Sequence, residues 1–301
     1  MTGPSKIRFV GSEGNPIAGD LYRPEGAANG APVILVHGGG QTRHAWRGTA
    51  RVLAAAGFPA IAIDQRGHGD SAWIESRHYA FSDFAADLTL VCRMVERTHG
   101  ARPAVVGASL GGISAMLAEG GAGHDLLSAL VLVDVTPGMD PDGISRVQGF
   151  MGARMHEGFA TLEEAADTIS AYLPNRRRPA SLAGLGKNLR RGADGRYRWH
   201  WDPAFLDGPR TIDTGRAAVE ERLRTICRAL AVPTLLVRGR QSELVTEEAV
   251  AAFRAMVPHA RYVDVSGAGH MVAGDRNDAF TDAVVDFLTE RKDAMTVRRA
   301  G

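Results

Sequence analysis

The chain has 301 residues, a formal net charge of +1, 45% hydrophobic and 23% charged residues. This size and composition suit one large α/β domain, alone or carrying an insertion, and the near-zero charge argues against a nucleic-acid partner. The N-terminal residues Met1-Thr2-Gly3-Pro4-Ser5-Lys6 open no apolar signal region, and no run of about 18 apolar residues occurs, so the expectation is a soluble, cytoplasmic protein with no membrane partner.

Residues 7–10 and 17–22 read as two short strands joined by a Gly/Asn/Pro turn. Val33–Val36 is a continuous apolar run, as expected of a parallel strand buried on both faces. It ends in the loop His37-Gly38-Gly39-Gly40, and a helix follows over residues 45–56, closed by Gly57. The strand at 59–63 leads into Asp64-Gln65-Arg66-Gly67-His68-Gly69-Asp70-Ser71, and a helix spans 81–98. Residues 104–106 form a strand that runs into Gly107-Ala108-Ser109-Leu110-Gly111-Gly112, with helix-forming sequence beyond. Ala129–Val133 is a further strand, ended by Asp134-Val135-Thr136-Pro137.

From residue 138 to 215 the rhythm breaks. Helical segments such as Leu162–Tyr172 replace buried-strand runs, followed by Arg176-Arg177-Arg178 and by Trp199-His200-Trp201. The arginines read as a solvated face. The two tryptophans read as core between helices, and are also the residues here best suited to touch a substrate. This stretch is expected to be an inserted helical cap on a core formed by residues 1–137 and 216–301. The rhythm resumes with a helix at 215–230, a strand at 234–237, a helix over Glu247–Met256 and the strand Arg261–Val265. Gly267-Ala268-Gly269-His270 follows, then a last helix at 277–289 and a polar, frayed tail beyond Arg291. Strands alternating with helices predict a mostly parallel, doubly wound sheet with helices on both faces. In such sheets ligands bind beyond the carboxyl ends of the strands, where these glycine-rich loops gather.

Gly-x-Ser-x-Gly at 107–111 follows a strand and opens a helix, the context of a nucleophile elbow; alone, the serine could equally cap the helix. Nucleophilic serine needs a base, and the base an orienting acid. Among ten histidines, His270 alone lies in a loop after a late strand, downstream of the serine. His37 and His68 precede the serine in glycine turns, where structural hydrogen bonds are expected. For the acid, Glu243 and Asp134 both follow strands; physics does not separate them, and Glu243 is preferred. Cys92 and Cys227 are read as buried free thiols, and no metal-binding spacing such as His-Glu-x-x-His or Cys-x-x-Cys occurs.

Four elements in this order, His37-Gly38-Gly39, Asp64 to Ser71, Gly107 to Gly112 and Gly267 to His270, make the chain resemble the α/β-hydrolase superfamily over nearly its whole length. It looks most like the capped, cofactor-free hydrolases of the haloperoxidase, epoxide-hydrolase and lactonase type. The resemblance implies an eight-stranded sheet and an oxyanion hole from the backbone N–H groups of Leu110 and Gly39. Relatives usually carry an aspartate in the loop where this chain has Glu243, and a bulky residue and a proline where it has Gly39 and Gly40. Glycine there is expected to leave room beside the acyl group, or to permit a shifted hole using Gly40. Ser109, in place of the aspartate of epoxide hydrolases and dehalogenases, points to acyl chemistry on a small ester, lactone or thioester by a monomer or homodimer. Competing expectations are another reaction on the same triad, such as C–C bond hydrolysis, perhydrolysis or a lyase step, and a small-molecule receptor on this fold.

Overall fold

Apolar runs in the sequence become strands because burial on both faces of a sheet rewards them at every position. A computed structural model describes residues 3–172, 182–270 and 277–300. In the first half of the chain, β1 (Ser5–Val10) and β2 (Pro16–Tyr22) form an antiparallel hairpin. Strands β3 (Val33–Val36), β4 (Ala60–Ile63), β5 (Ala104–Ala108) and β6 (Ala129–Val133) are separated by helices α1 (Arg47–Ala55), α2 (Phe81–His99) and α3 (Leu110–Gly121).

The inserted stretch contains α4 (Pro141–Gly152), α5 (Leu162–Tyr172), strands β7 (Leu189–Arg191) and β8 (Tyr197–Trp199), and the short α6 (Ala204–Asp207). It is therefore not wholly helical, as the sequence reading expected. Strands β7 and β8 pair as an antiparallel hairpin closed at Gly195, whose φ is 79°. Strands of three residues are too short to show an alternating pattern, which explains why periodicity misses them. The arginine run 176–178 lies outside the described residues.

The core then resumes with α7 (Arg216–Ala229), β9 (Thr234–Gly239), α8 (Glu247–Met256), β10 (Arg261–Val265) and α9 (Asn277–Ala300). The last helix continues past residue 289, where a frayed tail was expected; Glu290, Arg291, Lys292, Ala294 and Met295 are all good helix formers. Among the described residues, no helix is long and apolar enough to cross a membrane.

The sheet order is β1-β2-β4-β3-β5-β6-β9-β10, with β2 antiparallel to both its neighbours and the rest parallel. Alternate residues serve opposite layers. Ile34, Val36, Ile61, Ile63, Leu130 and Leu132 pack in one apolar cluster with residues of α2, α3, α7 and α8. Val33, Leu35, Ala60, Ala62, Val131 and Val133 pack in the other with α1 and α9, where Phe280, Val284 and Phe287 are fully buried. After β3 the chain steps to β4 on one side, then returns past β3 to β5 on the other. In sheets of this kind ligands bind at the carboxyl edge beside such a reversal, which here lies next to the turn that follows β5.

Both cysteines are buried and unpaired. Burial pushes the Cys227 thiol up to about 12, so neither its location nor its ionisation suits a nucleophile.

Candidate active site

The turn after β5 is strained. Ser109 has φ 47° and ψ −113°, a region that costs a non-glycine residue about 1–3 kcal/mol. Its backbone is held there by its own N–H donating to Val133 O at 3.1 Å and by its carbonyl accepting the Gly112 and Ile113 N–H groups. Glycine is required on both sides by close approach. A Cβ on Gly107 would lie 2.5 Å from Gly111 O, and one on Gly111 would collide with Val36 O. Strand and helix thus meet at a corner that presents the serine at the sheet edge.

Asp134 directly follows β6 and is fully buried. Its Oδ2 accepts the His270 Nδ1 proton at 2.7 Å and the Ser242 hydroxyl at 2.5 Å, while Oδ1 accepts the Gly239 N–H at 3.1 Å. A carboxylate only accepts, so Nδ1 of His270 carries a hydrogen, and the tautomer compatible with this contact when the ring is neutral has its lone pair on Nε2. The histidine loop sits close because Gly239 has no side chain; a Cβ there would overlap Gly269 O. Gln241 N–H donates to Ala268 O at 2.9 Å and Arg240 N–H to Val265 O at 3.0 Å, which tie the same loop to the end of β9.

Glu243, the acid preferred on sequence grounds, does not reach the histidine. Its carboxylate accepts Arg146 Nε at 2.9 Å and the Tyr172 hydroxyl at 3.0 Å, one from α4 and one from α5. The cause is the preceding residue. Ser242 Oγ, bonded to Asp134, also accepts the Leu244 and Val245 N–H groups at 3.1 and 3.2 Å. This tight turn directs the next side chain away, toward the insertion. Of the two candidates, the structure brings Asp134 to His270. Ser242 and Gly239 are the partners that sequence reasoning missed; their only signal was membership of the loop after a late strand.

The glycine loop after β3 is the other half of the site. Gly38 N–H donates to Gln41 Oε1 at 3.0 Å, and a Cβ on Gly38 would stand 3.5 Å from the Ser109 Cβ. Gly40 N–H donates to His68 Nε2 at 3.1 Å, so it is committed and does not serve a shifted oxyanion hole. The Gly39 and Leu110 N–H groups have no hydrogen-bond acceptor among the described residues. Leu110 also opens α3, whose N-terminal dipole favours negative charge.

His37 and His68 are structural, as their glycine turns suggested. His68 donates from Nδ1 to Arg66 O at 2.9 Å; His37 donates from Nδ1 to Gly38 O at 2.7 Å and accepts Gln65 N–H at 3.0 Å. Burial lowers their pKa values, His37 to about 4 and His68 to about 3, so both stay neutral. The rest of the 64–71 loop is a strut. Arg66 holds Asp87 through Nε at 2.8 Å and Nη2 at 2.7 Å, and Asp64 accepts both the backbone and the guanidinium of Arg43.

The insertion packs over this edge. Gly69 N–H donates to His200 O and Asp202 N–H to Gly67 O, both at 2.8 Å. Trp201, Phe205 and Met151 join Leu110 in one apolar cluster. Trp199 instead faces the interior of the insertion, edge-on to Phe150 and Phe159. Only Trp201 of the two tryptophans approaches the glycine loop: a Cβ on Gly40 would lie 3.7 Å from its Nε1.

A parallel-centred sheet with a strained serine after its middle strand, and a histidine–carboxylate pair on adjacent loops, defines an α/β protein built around a nucleophile elbow. The chain belongs to the alpha/beta hydrolase fold family, whose model matches residues 31–276. It is 34% identical to the esterase Rv0045c of Mycobacterium tuberculosis over 264 residues, 86% of this chain and 83% of that one. A crystal structure of that esterase superposes with a TM-score of 0.71 at 30% identity, covering 96% of this chain and 93% of the other. It is 28% identical to the 3-hydroxybutyrate-oligomer hydrolase of Cupriavidus necator over 81% of this chain and 83% of that one. An alpha/beta hydrolase from Novosphingobium aromaticivorans shares the fold at a TM-score of 0.78 and 22% identity, covering 97% and 99% of the two chains.

Proposed function

We propose that this protein is a serine hydrolase of small carboxylic esters, lactones or thioesters, working through an acyl-enzyme. The observation that carries this reading is the 2.7 Å contact between His270 Nδ1 and buried Asp134, at the same sheet edge as a serine held at φ 47°. The names of the M. tuberculosis and C. necator relatives point the same way.

In this mechanism His270 Nε2 takes the Ser109 hydroxyl proton as Oγ attacks the carbonyl carbon. Asp134 holds the imidazole in the tautomer that leaves Nε2 free, then stabilises the imidazolium. Gly39 and Leu110 N–H groups donate to the oxyanion, a charge that exists only at the tetrahedral stage, so their contribution lowers the barrier. The imidazolium proton passes to the leaving group. Water, deprotonated by His270, then attacks the acyl carbon; collapse of the second oxyanion expels Ser109, which regains its proton. The inserted 138–215 segment roofs the pocket and selects the substrate.

Turnover of p-nitrophenyl acetate by wild type and Ser109→Ala tests this reading, together with labelling by a fluorophosphonate. Wild type should turn over and label; the variant should do neither, with its thermal midpoint retained. Activity retained in Ser109→Ala overturns it, as does a wild type inert to both reagents, which is the behaviour of a binding protein.

A further inference from the structure

The loop Gly38-Gly39-Gly40 has no side chains, yet the space beside it is filled from the insertion. A Cβ built on Gly39 would lie 3.3 Å from Phe205 Cζ and 3.7 Å from Met151 Cε. One built on Gly40 would lie 3.0 Å from Met151 Cε. The two glycines therefore leave less than one methyl group of room: a Cβ at either position would already crowd the α4 and α6 side chains. Sequence alone suggested an enlarged space here. Folding fills it.

Phe205 is held rigidly. It is 1% exposed and meets His68, Tyr79, Phe84 and Trp201 edge-on, with centroids 5.1 to 6.4 Å apart. Nor can the glycine loop swing aside without breaking the Gly40 to His68 hydrogen bond. Met151 is the adjustable part, since an unbranched thioether side chain repacks readily. The wall itself, a phenyl ring and a thioether, offers no partner to a carboxylate at the end of the acyl group, which would be desolvated against it.

The position of this wall relative to the chemistry follows from the sheet. Ser109 stands at the end of β5, His270 approaches from the β9–β10 side, and the glycine loop follows β3 on the opposite side. A leaving group must meet His270 to be protonated, and the oxyanion must meet Gly39 and Leu110. The acyl chain takes the remaining tetrahedral direction, away from His270 and beside the oxyanion, which runs along the flank of the glycine loop against Phe205 and Met151.

We propose that Phe205 and Met151 form the end wall of the acyl subsite, restricting the enzyme to short, uncharged acyl groups of acetyl to butyryl size. This rests on the serine-hydrolase reading above. The wall is tested by kcat/KM on p-nitrophenyl acetate, butyrate, octanoate and hemisuccinate, for wild type, Met151→Ala and Phe205→Leu. Wild type should favour acetate and butyrate over octanoate, and disfavour the hemisuccinate. Each variant should raise the octanoate-to-acetate ratio by about tenfold or more, the range set by opening a hydrophobic pocket by a few methylenes. Phe205→Leu keeps an apolar core residue, and circular dichroism verifies that both variants fold. Equal wild-type activity on octanoate and acetate overturns the wall, as does an unchanged ratio in both folded variants. Efficient hydrolysis of the hemisuccinate overturns its neutral character. Absence of wild-type turnover on every ester, acetate included, instead refutes the hydrolase reading itself.

Discussion

Asp134→Asn separates the two carboxylates that the sequence left open. Asparagine has the shape of aspartate but must place its NH2 at one of the two oxygen positions. The Gly239 N–H, 3.1 Å from Oδ1, demands an acceptor there. The amide nitrogen is therefore forced to the Oδ2 position, facing His270 Nδ1. A donor at that point requires Nδ1 to accept, which moves the imidazole hydrogen to Nε2 and leaves no base for the Ser109 proton. A wrong tautomer of this kind lowers turnover by about 10⁴ in a serine triad, about 5.4 kcal/mol of barrier. Glu243→Gln, in contrast, alters only a solvent-screened contact with Arg146 and the bond to the Tyr172 hydroxyl, away from His270, and kcat/KM should change by less than about threefold. The assay is kcat/KM for p-nitrophenyl acetate at neutral pH, with thermal midpoints for both variants. Asp134→Asn retaining a tenth of wild-type activity, or Glu243→Gln losing as much as it does, refutes the assignment.

Three further outcomes are expected. His68→Ala removes the acceptor of the Gly40 N–H and loosens the peptide next to Gly39, so kcat should fall by about tenfold or more with KM little changed. His68→Gln, whose Oε1 can accept the same N–H, should recover part of the loss; a rise in KM alone speaks against a positioning role. Glu119 is fully buried, and burial raises its pKa although its Oε2 accepts the Leu126 and Leu127 N–H groups. The unfolded chain therefore loses this proton first as pH rises, and stability falls from the ordinary glutamate value up to the raised one. Glu119→Gln does not titrate, so its urea midpoint relative to wild type should climb with pH across that window; a constant difference contradicts the linkage. Finally, Cys92 and Cys227 are buried with raised pKa values. Neither should react with an aromatic disulfide reagent in the native protein, and both should react in urea.

Much of the fold was legible in the chain because each strand of the central sheet is buried on both faces. Val33–Val36 and Ala129–Val133 are apolar at every position and bounded by loop residues, which no helix or exposed strand of that length requires. The β7–β8 hairpin was not legible. Its strands are too short for a pattern, and its partners are each other and Phe159 rather than the main sheet.

The sequence by itself determined the strained turn at Ser109 and the downstream glycine loop that carries His270. Strain at Ser109 can be tolerated only where glycines permit strand and helix to touch, and that demand is written locally at Gly107 and Gly111. Which carboxylate meets His270, and what fills the space beside the glycine loop, were decided only in three dimensions. Asp134 lies 136 positions from His270, and what selects it over Glu243 is the Ser242 turn and the Gly239 approach. Likewise, Gly39 and Gly40 specify an absence of side chain. What fills that space comes from Met151 and Phe205, more than a hundred residues away, because packing rather than chain order sets which atoms are neighbours.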